Sequence, residues 1–325
     1  EHGLVEMVRK GRALSGEKGD LEKMNKQPWT ETYDVVMPIL KRDWPAAQVN
    51  LPFVFKNLPI RRLVVLSGAD LEPLLPRDER IVFVNENELM EGLTLASVKK
   101  AMYARIYTDK RAGWYFQQFL KLGYARVCTE KAYIVWDADT VPVRPISFQN
   151  EQGQYLFNVR PEYNKPYFDT MKTLLGLEKC QEDSFIAEHM IFDTQLACRM
   201  LDEIEANDRL PGTAFWEKIL AAVPLDALKG SGFSEFETYG TWAMTRYEVR
   251  PLHGLRSGKN ILGQAPDAET LEWVGQSYDT VAMEKFSAST PLRHLAASGR
   301  YRAGHTAVQL NALKERFHVI PAVYG

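Results

Sequence analysis

The most restrictive feature of the sequence is an apolar run that ends in two aspartates. Residues 133–136 read Tyr-Ile-Val-Trp, which favours a buried strand, and Asp137 and Asp139 follow directly. On a regular strand, residues two positions apart point the same way, so the two carboxylates are expected to converge. Like carboxylates resist joint ionisation unless a cation lies between them, and oxygen ligands suit Mg²⁺ or Mn²⁺. We therefore expect a divalent metal site, with Pro142 and Pro145 ending the strand pairing.

Apolar runs and helical periodicity alternate through the first half of the chain. Residues 33–40, 61–68 and 81–85 are rich in strand formers, whereas 96–109 and 114–122 carry helical periodicity. This alternation predicts right-handed βαβ units and an α/β sheet flanked by helices. Ligands bind beyond the carboxyl ends of the strands in such sheets, so polar residues at those ends are candidates for a site.

Polar residues do follow three of these strand ends. Asp43 comes shortly after the first run, Ser67 lies near the end of the second, and Asp137 and Asp139 follow the fourth. We expect these side chains at the same edge of the sheet.

The remaining segments give coarser predictions. Residues 44–56 should be only partly helical because Pro52 interrupts them, and Gly123 should stop the helix before it. Residues 154–159 are expected to form a strand. Helices are expected at 167–177, 195–207, 214–223, from Ser234 onward, at 270–285 and at 306–317.

Composition limits the function classes. The 325 residues carry a formal net charge of −2 and no long basic block, which argues against binding nucleic acid through its phosphates. Cys128, Cys180 and Cys198 form no paired motif and are expected to be buried thiols. No apolar run reaches the roughly 18 residues of a membrane span. The sequence contains no Asn-x-Ser/Thr site, which favours the cytoplasm. A Golgi-lumen location stays open because a membrane anchor could precede Glu1.

Three blocks together resemble nucleotide-sugar glycosyltransferases of the GT-A type. They are the Asp-x-Asp motif at 136–140, the segment Arg-Ala-Gly-Trp-Tyr-Phe-Gln-Gln-Phe-Leu-Lys-Leu at 111–122, and Phe-Ser-Glu-Phe-Glu-Thr-Tyr-Gly at 233–240. The blocks look like those of a little-characterised, bacterial-type group of glycosyltransferase-like proteins. The resemblance implies a Rossmann-like mixed sheet flanked by helices, in a single large domain with a helical C-terminal extension.

The resemblance also implies an organisation and a reaction. We expect an N-terminal arm at 1–31, a GT-A catalytic domain at 32–255, and a helical extension at 256–325 packed on the same body. The implied reaction moves a sugar from a nucleoside-diphosphate sugar, expected to be a UDP-sugar, to a glycan or glycoconjugate acceptor. The implied cofactor is Mn²⁺ or Mg²⁺.

Metal-binding roles follow from the same resemblance. Asp139 is expected to bind the metal directly, while Asp137 binds it through water or contacts the ribose. A late histidine often completes such sites, and His253 has the best position, with His189 as the alternative. An ordinary hydrogen-bonded histidine is an equal interpretation of His253, and a satisfied, partly buried histidine is the preferred interpretation of His189.

Candidates for the catalytic base lie in the third block. An inverting enzyme needs a carboxylate to take the proton of the acceptor hydroxyl, and Glu235 and Glu237 are the candidates. The Ser234-x-x-Glu237 spacing is that of a capping box, which gives Glu237 a structural alternative. Glu235 is therefore preferred, although a solvated first-turn glutamate is the alternative for it. A retaining enzyme would need neither.

Residues for the donor nucleotide come from the first strand end and from the second block. Pro38 and Asp43 are expected near the base and ribose, while Gln118 and Lys121 are expected to reach the donor. A solvated helix face is the alternative for Gln118 and Lys121. The block's aromatic pair, Trp-Tyr at 114–115, is expected mainly to fill the core.

Other functions remain open at this point. Asp137 and Asp139 could form a simple strand-end turn, or the signature of a haloacid-dehalogenase-type phosphatase with Asp137 as nucleophile. Against the phosphatase, about three βα units precede the motif and no later acidic run supplies its other ligands. A sugar nucleotidyltransferase would carry a glycine-rich loop after the first strand, where residues 38–43 contain no glycine. A non-catalytic carbohydrate-binding domain is the remaining alternative.

Overall fold

The computed structural model describes residues 29, 31–247, 249–252, 255–259, 271 and 274–282. The elements below all belong to the unit Tyr33–Gly325. Of the predicted arm at 1–31, only residues 29 and 31 are described, and the predicted helix at 306–317 lies wholly outside the described residues. The domain boundaries at 31 and 255 therefore stay predictions.

Ten strands form three sheets within the described residues. In chain order they are β1 (Tyr33–Pro38), β2 (Ile60–Ser67), β3 (Ile81–Asn85), β4 (Ala132–Trp136), β5 (Thr140–Pro142), β6 (Leu156–Asn158), β7 (His189–Asp193), β8 (Arg250–Leu252), β9 (Ser257–Lys259) and β10 (Thr280–Ala282). The central sheet has the order β3-β2-β1-β4-β7. Strands β1 to β4 run parallel, and β7 pairs antiparallel with β4. The smaller sheets are β5-β10-β9 and β6-β8.

Seven α-helices of at least eight residues accompany these strands in the described ranges. They are α1 (Trp44–Asn57), α2 (Leu95–Ile106), α3 (Ala112–Gly123), α4 (Lys165–Leu175), α5 (Thr194–Glu205), α6 (Phe215–Ala222) and α7 (Glu235–Arg246). None of these helices combines the length and apolar character needed to cross a bilayer.

The buried strands explain why the sheet forms where the sequence predicts it. Every residue of β1 and of β4 is buried, as expected for strands covered on both faces. Val36 of β1 lies between Val64 of β2 and Val135 of β4, so β-branched side chains stack across the middle of the sheet. The predicted α/β class, a mixed sheet flanked by helices, is confirmed.

Two backbone predictions are wrong. Helix α1 continues through Pro52 and buries Leu51, Phe53 and Val54 around it, so packing offsets the hydrogen bond that proline cannot donate. Gly123 does not end its helix in a left-handed conformation, because its φ is −61° and a 3₁₀ turn continues from it. A Cβ at Gly123 would lie 2.8 Å from the sulfur of Met90, so the flexible Met90 side chain would have to shift to admit a larger residue.

The C-terminal part differs from its prediction as well. The predicted helix at 270–285 is helical at Leu271 and Val274, but residues 280–282 form strand β10. The described part of the expected helical extension therefore contributes β9 and β10 to a sheet with β5. The cysteines are free thiols, although Cys180 is exposed and the other two are half-buried rather than buried.

A buried ionic network holds the amino end of β1. Asp34 is fully buried and accepts hydrogen bonds from Arg61 at 2.6 Å and from Arg62 at 3.0 and 2.9 Å. The hydroxyl of Tyr124 donates to the same carboxylate at 2.8 Å. This network lies at the opposite edge of the sheet from the strand ends that carry the candidate site.

Candidate active site

The carboxyl ends of the parallel strands bring the predicted polar segments to one edge of the sheet. Pro38 ends β1, Ser67 ends β2 and Trp136 ends β4. Because these strands are adjacent and parallel, Asp43, after β1, and Asp137, after β4, leave the sheet on the same side. The prediction of a shared edge is therefore confirmed.

The two aspartates of the motif lie in a turn, not on a strand. Strand β4 stops at Trp136, and the amide of Thr140 donates to the carbonyl of Asp137 at 3.0 Å. The expectation that strand alternation aligns Asp137 with Asp139 is thus wrong, and the turn sets their relative orientation. Two hydrogen bonds fix this turn: the Asp137 amide donates to the carbonyl of Glu188 at 3.0 Å, and the Trp136 indole donates to the carbonyl of Thr140 at 2.7 Å.

The two carboxylates differ in exposure. Asp139 is exposed, whereas the Asp137 side chain is 28% exposed. The Oδ1 atom of Asp137 is buried and lies 2.7 Å from the Nζ of Lys121. The exposed part of Asp137 therefore belongs to its other atoms, and its Oδ2 is the oxygen left to face a ligand.

Lys121 is a buried bridge between Asp137 and Glu235. Its Nζ lies 2.7 Å from Asp137 Oδ1 and donates to Glu235 Oε1 at 2.8 Å, and the Lys121 and Glu235 side chains are each only 3% exposed. Burial lowers the pKa of Lys121, but the charges of the two carboxylates more than offset this, so that pKa is raised and the ammonium persists. Burial raises the pKa of the Glu235 carboxyl, with Lys121 opposing the shift.

Two helices position this bridge. Lys121 lies in the last turn of α3, whose apolar face is buried, and Glu235 is the first residue of α7. The Lys121 ammonium also lies 4.7 Å from the ring centre of Phe236, within the range of a cation–π contact. The solvated alternatives for Lys121 and Glu235 are both wrong, because tertiary packing buries residues that are 114 positions apart.

Glu237 has a different environment from Glu235. The Ser234 hydroxyl accepts from the Glu237 amide at 3.1 Å, so the N-cap half of the predicted capping box is present. The Glu237 carboxylate turns inward, where its Oε2 accepts from the Phe185 amide at 2.7 Å and its Oε1 from the Thr241 hydroxyl at 3.0 Å. Both oxygens thus have structural partners, and burial raises the pKa of the carboxyl.

The histidine candidates do not join the aspartates in the described residues. His189 is buried in β7, stacks on the Trp136 indole at 4.5 Å, and has no hydrogen-bond partner for either ring nitrogen within those residues. Burial lowers the pKa of His189 to about 3, so it is neutral at ordinary pH. His253 lies outside the described residues. Among the side chains that are described, no three His, Cys, Asp or Glu residues could hold a metal together.

The donor candidates fall into two groups. Pro38 and Asp43 lie at the end of β1 and in the 3₁₀ turn after it, where Asp43 forms an exposed ion pair with Arg42 at 3.7 Å. Gln118 is buried, and its amide donates to the carbonyl of Trp114 within the same helix at 3.2 Å. The solvated alternative is therefore wrong for Gln118 too.

Some residues at this edge were not singled out from the sequence. Gln117 is half-buried and its amide lies 3.5 Å from the carbonyl of Pro38. Arg160 forms a mostly buried ion pair with Glu188, whose carbonyl holds the Asp137 amide. Neither Gln117, which stands beside another glutamine, nor the isolated Arg160 belongs to a recognisable local motif, so only the fold reveals these contacts.

Comparisons with known proteins identify a family and several similar solved structures. A family described as a family of unknown function (DUF6492) matches residues 76–290. No curated protein matches the sequence significantly. Similar solved structures include the apo bifunctional glycosyltransferase WbbM, with 12% identity, a TM-score of 0.43, and coverage of 85% of this chain and 52% of that chain. This chain thus spans about half the length of WbbM.

Two further structures have comparable similarity. The galactosyltransferase LgtC, in complex with donor and acceptor sugar analogues, has 13% identity and a TM-score of 0.40, over 89% of this chain and 98% of that chain. Mouse xyloside xylosyltransferase 1 in its apo form has 15% identity and a TM-score of 0.40, over 70% of this chain and 87% of that chain. At these identities and TM-scores the likeness carries no conclusion about function.

Proposed function

The chain belongs to DUF6492, a family of unknown function, and we propose that it is a metal-dependent glycosyltransferase acting on a nucleoside-diphosphate sugar. The observation that carries the proposal is the acidic turn at the carboxyl edge of the sheet. Asp139 is exposed there, and Asp137 beside it is held by a buried lysine. Paired carboxylates at a strand end suit a hard divalent cation, and diphosphate oxygens are the usual further ligands of such a cation.

The residues present fit Mg²⁺ or Mn²⁺ as a two-carboxylate site. Asp139 and the Oδ2 of Asp137 would hold the ion, and the donor diphosphate would complete the oxygen shell. When bound, the ion supplies positive charge against the diphosphate as the sugar departs. The geometry of the described residues leaves the third protein ligand open, and His253 stays the candidate for it.

The protein groups around the turn divide the remaining tasks. We propose that Pro38 and Asp43 border the nucleoside, because they follow β1, the strand adjacent to β4. Glu235 stays the preferred acceptor base, because Lys121 joins its carboxylate to Asp137 of the acidic turn. Glu237 is the second choice because both of its oxygens already accept hydrogen bonds. A UDP-sugar donor, a glycan or glycoconjugate acceptor and an inverting outcome complete the proposal.

A hydrolysis screen tests the function. Many transferases release sugar slowly to water without an acceptor, so UDP-glucose, UDP-galactose, UDP-N-acetylglucosamine and GDP-mannose are incubated with the protein, with and without Mn²⁺, and free nucleotide is measured. We expect turnover of at least one donor that needs Mn²⁺ and is lost in Asp139→Ala. Asp169→Ala, which removes an exposed acid of α4 that forms an ion pair with Lys165, is the matched control and should leave turnover unchanged.

Other results would point to the rival functions. Metal-dependent release of inorganic pyrophosphate from a nucleoside triphosphate and a sugar phosphate would indicate a nucleotidyltransferase. Binding of a nucleoside diphosphate without turnover of any donor or acceptor would indicate a non-catalytic domain. Turnover that persists in Asp139→Ala would contradict the assignment of the metal to this turn.

A further inference from the structure

Lys121 lies on the buried side of Asp137, where it contacts carboxylates of the site and not the space open to a substrate. The side chain is 3% exposed, and its ammonium is already engaged by Asp137 and Glu235. A buried ammonium with these two partners cannot turn toward a bound diphosphate without leaving the buried Glu235 carboxylate and the buried Oδ1 of Asp137 unpaired, which is costly. The donor contact expected for Lys121 from the sequence therefore does not suit its position.

The contact with Lys121 determines which Asp137 oxygen faces outward. Oδ1 of Asp137 is buried against the ammonium, so the partly exposed carboxylate presents its other oxygen to the outside. The backbone of Asp137 is fixed separately by the carbonyl of Glu188. Among the described residues, Lys121 is therefore the side chain that restrains rotation of the Asp137 carboxylate about its side-chain bonds.

Glu235 serves the same arrangement from the other side. It accepts from Lys121 at 2.8 Å and lies at the start of α7, whose first turn is capped by Ser234. The ammonium therefore connects the acidic turn to the start of α7, which the Ser234 cap holds in place. Partners of this kind orient the ligands of a metal without touching the metal, and their loss typically lowers metal affinity about 10- to 100-fold.

We propose that Lys121 is a positioning residue, which holds the Asp137 carboxylate so that one oxygen faces the cation and diphosphate of the donor, with Glu235 as its buried anchor. The inference rests on the proposed function for the identity of the ligand. It assigns Lys121 no contact with the donor itself.

Charge and orientation make opposite predictions for substitutions of Lys121, which allows a clean test. Lys121→Met removes a positive charge beside the cation site, so an effect of charge alone would tighten Mn²⁺ binding. Loss of orientation would weaken it. The double variant Lys121→Met/Glu235→Gln removes one charge of each sign and keeps the net charge of wild type, so any loss of affinity in it reflects orientation.

The experiment measures Mn²⁺ binding by electron paramagnetic resonance in the presence of UDP, with circular dichroism to check folding. We expect Lys121→Met and the double variant each to bind Mn²⁺–UDP about 10-fold or more weakly than wild type. Lys172→Met/Glu178→Gln, which removes an exposed ion pair, is the control and should bind as wild type does. Wild-type affinity in the double variant, or tighter binding in Lys121→Met, would overturn the inference.

A crystal structure of Lys121→Met separates failure of this inference from failure of the proposed function. If wild type does not bind Mn²⁺–UDP, the proposed function fails, and the position of the Asp137 carboxylate still decides the role of Lys121. We expect that carboxylate to rotate away from its wild-type orientation in the variant. An unchanged Asp137 side chain without the ammonium would show that Lys121 does not position it.

Discussion

Replacing Glu237 separates a structural carboxylate from a catalytic one. The side chain is 1% exposed, and its two oxygens accept from the Phe185 amide and the Thr241 hydroxyl. In Glu237→Ala both donors stay buried without that partner, at about 1–3 kcal/mol each, so we expect a loss of about 2–6 kcal/mol in the free energy of unfolding. For a chain of 325 residues this corresponds to a fall in Tm of about 3–9 °C.

The isosteric variant sharpens the test. Glu237→Gln keeps an oxygen for the Phe185 amide and an amide group beside the Thr241 hydroxyl, so we expect it to stay within about 1 kcal/mol of wild type. Differential scanning calorimetry of both variants measures the effect, with the exposed Glu178→Gln as a control that should not change Tm. Equal Tm values for Glu237→Ala and wild type would refute the hydrogen-bond argument. Full loss of turnover in a stable Glu237→Gln would instead favour its role as base.

The difference in stability between wild type and Glu237→Gln should depend on pH, and the raised pKa of Glu237 fixes the sign of that dependence. Burial raises the pKa of Glu237 above its ordinary value of 4.5, so the folded state binds this proton more tightly than the unfolded state. The associated stability is fully present below pH 4.5 and is lost as the pH rises through the folded pKa. We therefore expect wild type to gain stability relative to Glu237→Gln as the pH falls from neutral toward 4, measured by urea unfolding. A constant difference across that range would contradict the cause assigned to the shift.

The remaining predictions concern packing and the ionic network. In Gly240→Ala the new Cβ would lie 2.5 Å from the ring of Phe185, so we expect a loss of about 1–3 kcal/mol in urea unfolding. Gly113→Ala, in open space on α3, should instead keep or raise stability by up to about 1 kcal/mol. Asp34→Ala leaves the buried Tyr124 hydroxyl without its acceptor and removes the partner of the half-exposed Arg61 and Arg62, so it should cost about 1–3 kcal/mol. A Gly240→Ala variant as stable as Gly113→Ala, or an Asp34→Ala variant as stable as wild type, would contradict the packing or the network described above.

The sequence reveals the sheet because its central strands contain mainly apolar residues. The runs at 33–38 and 132–136 are buried on both faces, and no other local structure satisfies such runs as well. The order of strands and helices then restricts the topology, so the edge that carries Asp43 and Asp137 could be expected in advance.

Local rules fail where tertiary packing decides. Pro52 costs its helix one hydrogen bond, yet the buried neighbours of Pro52 keep α1 continuous. Gly123 matches a helix stop in sequence, but it keeps a right-handed helical conformation and a 3₁₀ turn follows it. Residues 280–282 fall within the helix predicted at 270–285, but they lie beside β5 and β9 and pair as a strand.

In the candidate site, too, the sequence predicts what a local pattern determines and misses what tertiary packing determines. The aspartates of the motif are recognisable because two acids end an apolar run. The bridge through Lys121 joins residues 114 positions apart, and neither Lys121 nor Glu235 carries a local sign of burial. A helical lysine and a first-turn glutamate look solvated in any sequence, so their joint burial could only come from the structure.

The central claim is that the turn carrying Asp137 and Asp139 binds a divalent cation together with a nucleoside diphosphate. Isothermal titration of UDP into the protein, with and without Mn²⁺, tests it on wild type and on Asp139→Asn. The account predicts binding that needs Mn²⁺ in wild type and is weakened about 10-fold or more in Asp139→Asn, with Tm within about 2 °C of wild type because the side chain is exposed. UDP binding that is independent of Mn²⁺, or equal in the two proteins, would contradict it.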